Sequence, residues 1–467
     1  MKLTRALGLR DIVLLNVTAI IGLRWISLAA SSGNVSILLW LGALLLFFIP
    51  QAFAVIELTT RLPEEGGIYS WAKTAFGDFH GFLSGWCYWT NNLIYFPNLL
   101  VYIAGIAVFI LGPSYQSVGE TKVYILAFSL VALWGVTLFN ILGLKIGRWV
   151  NNIGGAGTWA AGGILILFGM IAVIKYGLAN PMPPGSFTEH LFSFEKLAFW
   201  ASICFAFSGL ELASVMAGEI RNPEKSIPRA VVISGIVIAV IYILGTLAML
   251  VALPADEINI ITGFLQGIAA IGNKLGLGWT ANLIALLITL GGIGGLMAWF
   301  TGAARMPFVS GVDRYLPAGF GKLHPRYGSP YIAIIFQSVV ATAFILMSFI
   351  GATVQEAYLI LLDTTLLVYF IPYLYMFAAY LVLRRKQVGS GRVLLLPRGN
   401  RKAYFSGALG LATTLIAMLL ALVPAAEIRN VFLYELKVVG GFLIFIGVGV
   451  VIYRLEARKR KNKELAV

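Results

Sequence analysis

Two opposite charges stand inside apolar runs: Arg24 within residues 11–31 and Glu211 within residues 197–217. A charge near the centre of a bilayer costs several kcal/mol, roughly 2.5–3.5 on insertion scales, unless it is hydrated or paired. Arg24 therefore needs an aqueous cavity or a partner. Each of the two lies two residues beyond a mid-run glycine, Gly22 and Gly209, where a helix unwinds with least steric resistance. Their equal offsets lead us to expect that the two side chains meet. A second group, Glu57, Arg61, Glu219, Arg221 and Arg305, falls at the ends of apolar runs on one side of the chain's topology. A charge network that holds that face closed is one reading, solvated interfacial charges the other. Asp363 reads as a boundary residue near the opposite face. No catalytic constellation appears. His80, His190 and His324 sit near loops and far apart in sequence, and Cys87 and Cys204 lie in apolar stretches without disulfide or metal-ligand spacing. No enzymatic activity, metal or cofactor is expected.

The elements that must position these residues follow from composition. Of 467 residues, 59% are apolar and 12% charged, with a mean hydropathy of +0.89, which excludes a water-soluble globular domain. A spanning helix takes roughly 20 apolar residues. Twelve runs qualify: 11–31, 36–60, 81–111, 123–143, 150–174, 197–217, 229–253, 280–304, 331–350, 357–383, 404–424 and 432–454. The expectation is an all-α integral membrane protein with twelve transmembrane helices, its first run a retained span rather than a signal peptide. With loops assigned alternately to two sides, 27 of the 34 Lys and Arg fall on the side of both termini, six on the other, and Arg24 inside a span. That asymmetry puts both termini in the cytoplasm of a multi-pass inner-membrane protein. It also makes the net charge of +14 a topological signal. The lipid bilayer is the expected partner, and nucleic acid is not, because no basic stripe interleaved with polar or aromatic residues accompanies the charge.

Three stretches carry more than composition. The second span closes as Glu57-Leu-Thr-Thr-Arg61-Leu-Pro63-Glu-Glu-Gly66-Gly67-Ile-Tyr69, where Pro63 and the glycines end a helix and permit a tight reversal. The sixth closes as Phe205-Ala-Phe207-Ser208-Gly209-Leu-Glu211, followed by Gly218-Glu219-Ile-Arg221-Asn222-Pro223. After the eighth come Arg305, Asp313-Arg314 and Leu316-Pro317. In these motifs, and in their order, residues 8–400 resemble the amino acid/polyamine/organocation permease superfamily. Its glutamate/4-aminobutyrate antiporters are the subgroup nearest in look.

The resemblance implies two inverted repeats of five helices, about 1–175 and 196–383, with spans 1 and 6 broken near the midplane. A cytoplasmic loop at 384–403, two appended helices at 404–454 and a basic tail at 455–467 would follow. It implies a secondary transporter of an amino acid or close derivative. The alternatives are a polyamine or organic-cation transporter and a non-transporting sensor of the same fold. By resemblance, the amides of Gly22, Leu23 and Arg24 would face a substrate carboxylate, since positive helix ends favour anions. Carbonyls at Ile20, Phe205 and Ser208 would take the ammonium beside Gly209, and Phe205 matches an aromatic lid. The chain departs from the family's Gly-Ser-Gly with Gly22-Leu23-Arg24, so a hydroxyl is lost and a cation appears. A substrate carboxylate would compete with Glu211 for the planar fork of Arg24. Sodium-independent members often hold a Lys in span 5 where Thr158 falls here. That leaves a coupling ion, proton or sodium, and a counter-substrate as open partners beside the small-molecule substrate.

Overall fold

A computed structural model describes residues 7–464 apart from 64–65, 143–144, 189–190, 216, 218–219, 313–315, 317, 328, 388–399 and 426–427. Within these, side chains are described apart from 113–114, 145–156, 184, 194–195, 298, 301–312, 318, 321 and 461–464. The helices in chain order are α1 (Leu9–Ile20), α2 (Leu23–Ala30), α3 (Ser36–Ala43), α4 (Ile49–Arg61), α5 (Ile68–Phe76), α6 (Asp78–Ala107), α7 (Lys122–Leu142), α8 (Lys145–Tyr176) and α9 (Phe194–Ala206). They continue with α10 (Leu212–Val215), α11 (Pro223–Ala252), α12 (Gly263–Lys274), α13 (Thr280–Val312), α14 (Tyr331–Phe349), α15 (Val354–Arg385), α16 (Asn400–Leu420) and α17 (Val431–Glu464). In hydrocarbon every backbone polar group must be satisfied within the segment, and apolar runs of this length do so as helices.

Ten helical stretches are long and apolar enough to cross a membrane, so the protein is an all-α multi-pass membrane protein. They correspond to every expected span except the first and sixth. The first is the pair α1 and α2, bent by 43° across Ile21 and Gly22. The sixth is the 13-residue α9, a non-helical stretch and the single turn α10. A count of twelve holds only if both interrupted segments are counted as crossings. Central position follows burial: α6 and α15 have 83% and 67% of their most apolar window buried, against 22% for α17, which leaves α17 at the lipid-facing periphery. α13 lies along α8, α6 packs against both α15 and α13, and α1 runs along α11.

Prolines shape the central helices. A π-helical turn at Leu44–Phe48 precedes Pro50 in α4, and Pro97 and Pro372 lie inside α6 and α15. A proline lacks the N–H that would bond one turn back, so each loosens the ladder locally. Just before α1, Leu7 forms a parallel bridge with Ile220, and the Arg221 N–H donates to the Leu7 carbonyl at 2.9 Å. The chain before α1 is thereby tied to the chain after α10. Gly67, at φ +44°, lets the loop after α4 sit on α10: a Cβ there would lie 2.4 Å from Ser214 Oγ.

Candidate functional site

The two interruptions meet in the centre of the molecule. α1 stops at Ile20, Ile21 and Gly22 are extended, and α2 restarts at Leu23. α9 stops at Ala206, and Phe207 to Glu211 stay outside α9 and α10, with Gly209 at φ +123°. A single phenol serves both ends. The Tyr242 hydroxyl of α11 accepts from the Gly22 N–H at 3.1 Å and stands 2.6 Å from the Ile20 carbonyl and 3.2 Å from the Ala206 carbonyl.

Arg24, in the first turn of α2, is 2% exposed. Its Nη1 donates to Asn98 Oδ1 at 2.9 Å, and Asn98 in turn donates to the Tyr358 carbonyl at 2.9 Å. The guanidinium lies against the rings of Trp25 and Tyr95, 4.3 and 4.8 Å from their centroids, where cation–π attraction helps to hold it. Nη2 is buried and, among the described residues, has no hydrogen-bond partner. The expected ion pair with Glu211 is not formed. Arg24 turns to α6, whereas Glu211, fully buried in the stretch before α10, is held from α4, α6 and α15. Tyr369 and Tyr88 donate to its Oε1 at 2.7 and 3.2 Å, and Tyr373 and Gln51 donate to its Oε2 at 2.5 and 3.3 Å. Tyr373 also accepts from the Gly209 N–H at 2.8 Å and from Gln51 at 2.9 Å, so one hydroxyl joins the break to the carboxylate. Four donors on one buried carboxylate replace the cation it lacks.

Two adjoining cavities open at the breaks and share Ala19, Ile20, Tyr95 and Trp299. The first, bordered by Arg24, also takes in Gly22, Leu23 and Thr158. The second is lined by Phe205, Ser208, Gly209, Asn91 and Tyr369. Phe205 meets Trp25 and Tyr369 edge to face, at 5.6 and 5.4 Å between ring centres, and bridges α9 to α2 and α15. Asn91 Oδ1 and Ser208 Oγ are buried and have no hydrogen-bond partner among the described residues. Of the residues expected to bind, Ile20, Gly22, Leu23, Arg24, Phe205, Ser208 and Gly209 thus border cavities, and Glu211 borders neither. Thr158 stands with Arg24.

At the far end of α4, Glu57 is 1% exposed and pairs with Arg61 at 2.9 Å and with Arg384 of α15. Arg384 also donates to Asn400 Oδ1 at 3.3 Å, joining α16. Of the expected network the Glu57–Arg61 pair is present among the described residues, while Glu219 and the side chain of Arg305 lie outside them. Arg384, read from sequence as a loop cation, is its partner because α15 continues to Arg385. Asp363 accepts from the Tyr434 hydroxyl of α17 and so joins the last helix to α15.

A membrane protein with interrupted helices packed on a central pair is the architecture of a transporter, and comparison with known proteins agrees. The chain belongs to the amino acid permease family, which matches residues 7–451. It is 31% identical to an uncharacterized transporter of Legionella pneumophila, covering 95% of both chains. It is 25% identical to a probable agmatine/putrescine antiporter of Lactococcus lactis, covering 91% of this chain and 90% of that one. It is 22% identical to a glutamate/gamma-aminobutyrate antiporter of the same species, with 92% and 86% covered. The protein is therefore a secondary transporter of the amino acid/polyamine/organocation superfamily, not an enzyme.

Proposed function

We propose that the protein moves an amino acid or a close derivative across the cytoplasmic membrane by alternating access, with both termini in the cytoplasm and the two five-helix repeats rocking about the breaks. The observation that carries this is the pair of cavities at the breaks, where buried polar atoms of both signs lack partners: Arg24 Nη2 on one side, Asn91 Oδ1 and Ser208 Oγ on the other. An amino acid brings both an anionic group and an ammonium to these two sides. Its carboxylate is favoured at the start of α2, where the Leu23 and Arg24 amides lie in the first turn and have no intrahelical acceptor. Its ammonium is favoured at the end of α9 beside Ser208 and Gly209, with Phe205 as the lid. Polyamine transport is disfavoured by Arg24, which would repel a dication. Thr158 shares the Arg24 cavity, and a guanidinium lodged there disfavours a sodium ion, which supports exchange against a counter-substrate. Counterflow of labelled amino acids into proteoliposomes loaded with unlabelled ones tests the reading. Accumulation above protein-free vesicles is expected. Absence of exchange across all common amino acids would leave a sensor or a different cargo.

A further inference from the structure

The two cavities differ in the charge they ask for. Beside Phe205 the unpartnered atoms are Asn91 Oδ1 and Ser208 Oγ, which can accept hydrogen bonds from an ammonium. The other cavity runs from the α1–α2 break to Thr158 on α8 and to Gly291 and Gly295 on α13. Among the described residues its one charged lining residue is Arg24. That cation is held by one neutral amide and two rings, with no acidic residue in ion-pair reach among the described residues. The nearby buried acids are committed elsewhere, Glu211 to three tyrosines and Gln51, Asp363 to Tyr434. An uncompensated guanidinium in a membrane interior is costly. No described side chain provides the missing negative charge. The first-turn amides of α2 already offer a place for an α-carboxylate, so the guanidinium is available to a second anionic group. The α13 wall of this cavity is made of Gly291, Gly292 and Gly295, and at Gly295 a Cβ would meet nothing within 4 Å, whereas at Gly292 it would meet Ile103 at 2.6 Å.

We infer that the cargo is an acidic amino acid, whose side-chain carboxylate enters the Arg24 cavity and takes the free edge of the guanidinium while its ammonium faces Ser208 and Asn91. The inference rests on the amino acid transport proposed above. Arg24 is then a specificity-determining residue. It selects glutamate or aspartate over their amides and rejects diamines. The planar fork of Arg24 gives a carboxylate two parallel hydrogen bonds, with Nη1 kept in place by Asn98.

The test measures binding to the purified full-length protein for glutamate, aspartate, glutamine, asparagine and putrescine. It compares the unaltered protein with Arg24→Ala and Arg24→Gln, the latter a neutral residue able to keep the hydrogen bond to Asn98. The expected result is tighter binding of an acidic amino acid than of its amide by tenfold or more, as charge-assisted hydrogen bonds imply. Both variants should abolish that preference, and a melting curve of each variant serves as the control for folding. Equal losses for acid and amide would assign Arg24 to the α-carboxylate and overturn the inference. So would an unchanged preference in the variants, or a preference of the unaltered protein for neutral amino acids or putrescine. If no amino acid binds the unaltered protein, the transport proposal itself fails, a result separate from these.

Discussion

The Ile20 side chain packs directly on the backbone of Gly209, where an added Cβ would lie 2.8 Å from Ile20 Cγ1. The two helix breaks therefore touch, and each limits the conformation of the other. Gly209→Ala adds this overlap to a φ of +123° that side-chain-bearing residues rarely adopt. The expected cost is about 1–3 kcal/mol from the backbone alone, seen as a lower melting temperature and lost transport. Adding Ile20→Ala should recover only the part due to overlap. An unchanged melting temperature in the single variant would count against the contact.

Tyr373→Phe removes the hydroxyl that serves the Gly209 N–H and the Glu211 carboxylate together. Leaving two buried groups short of a partner costs about 1–3 kcal/mol for each. In a Glu211→Gln background the same change should cost less, because the charge that needed the donor is gone. Melting curves for the four proteins of the cycle give the coupling, and additive shifts would dissolve the proposed link.

Arg384→Ala leaves Glu57, 1% exposed, with Arg61 as its remaining ion-pair partner. Losing one of two cations from a buried carboxylate costs on the order of 1.5–3 kcal/mol, the range of a hydrogen bond to a charged group. Arg384→Lys, which keeps the positive charge, should lose less stability than Arg384→Ala. Equal losses in the two variants would show that the charge at this position is not what matters.

Phe205→Ala should weaken binding of whatever amino acid exchange identifies, by roughly tenfold or more given the loss of a buried aromatic ring, with protein yield preserved. Binding of unchanged affinity would return Phe205 to a packing role between Trp25 and Tyr369.

Orientation is tested by single cysteines. An impermeant thiol reagent applied from outside should label Gly185→Cys and spare Arg401→Cys, both introduced at exposed positions. The opposite pattern would reverse the membrane orientation drawn from the basic residues.

The spans were legible because apolar runs must become helices in lipid, and the breaks because Gly22 and Gly209 interrupt them. The partners of the two buried charges were not legible. Equal offsets from two glycines suggested that Arg24 and Glu211 meet. Arg24, however, lies in the first turn of α2 and turns to α6, while Glu211 lies before the short turn α10 and turns to α4, α6 and α15. Tyr88, Tyr369 and Tyr373 look like ordinary core aromatics in an apolar run. A usable signal did exist. Gln51, Asn98 and Tyr373 each directly follow a proline within a span, Pro50, Pro97 and Pro372. A hydrogen-bonding side chain beside a loosened stretch of helix is a marker that single-charge reasoning overlooks. Arg384 was missed for a simpler reason: α15 continues past the end of its apolar run.

A tyrosine hydroxyl has one hydrogen, yet Tyr242 stands within reach of two carbonyls, Ile20 at 2.6 Å and Ala206 at 3.2 Å. Only one can receive it at a time. Rotation about a single C–O bond transfers that hydrogen between the first broken helix and the sixth without moving a heavy atom. The two breaks therefore share one hydroxyl hydrogen, which serves the carbonyl end of either broken helix but not both together.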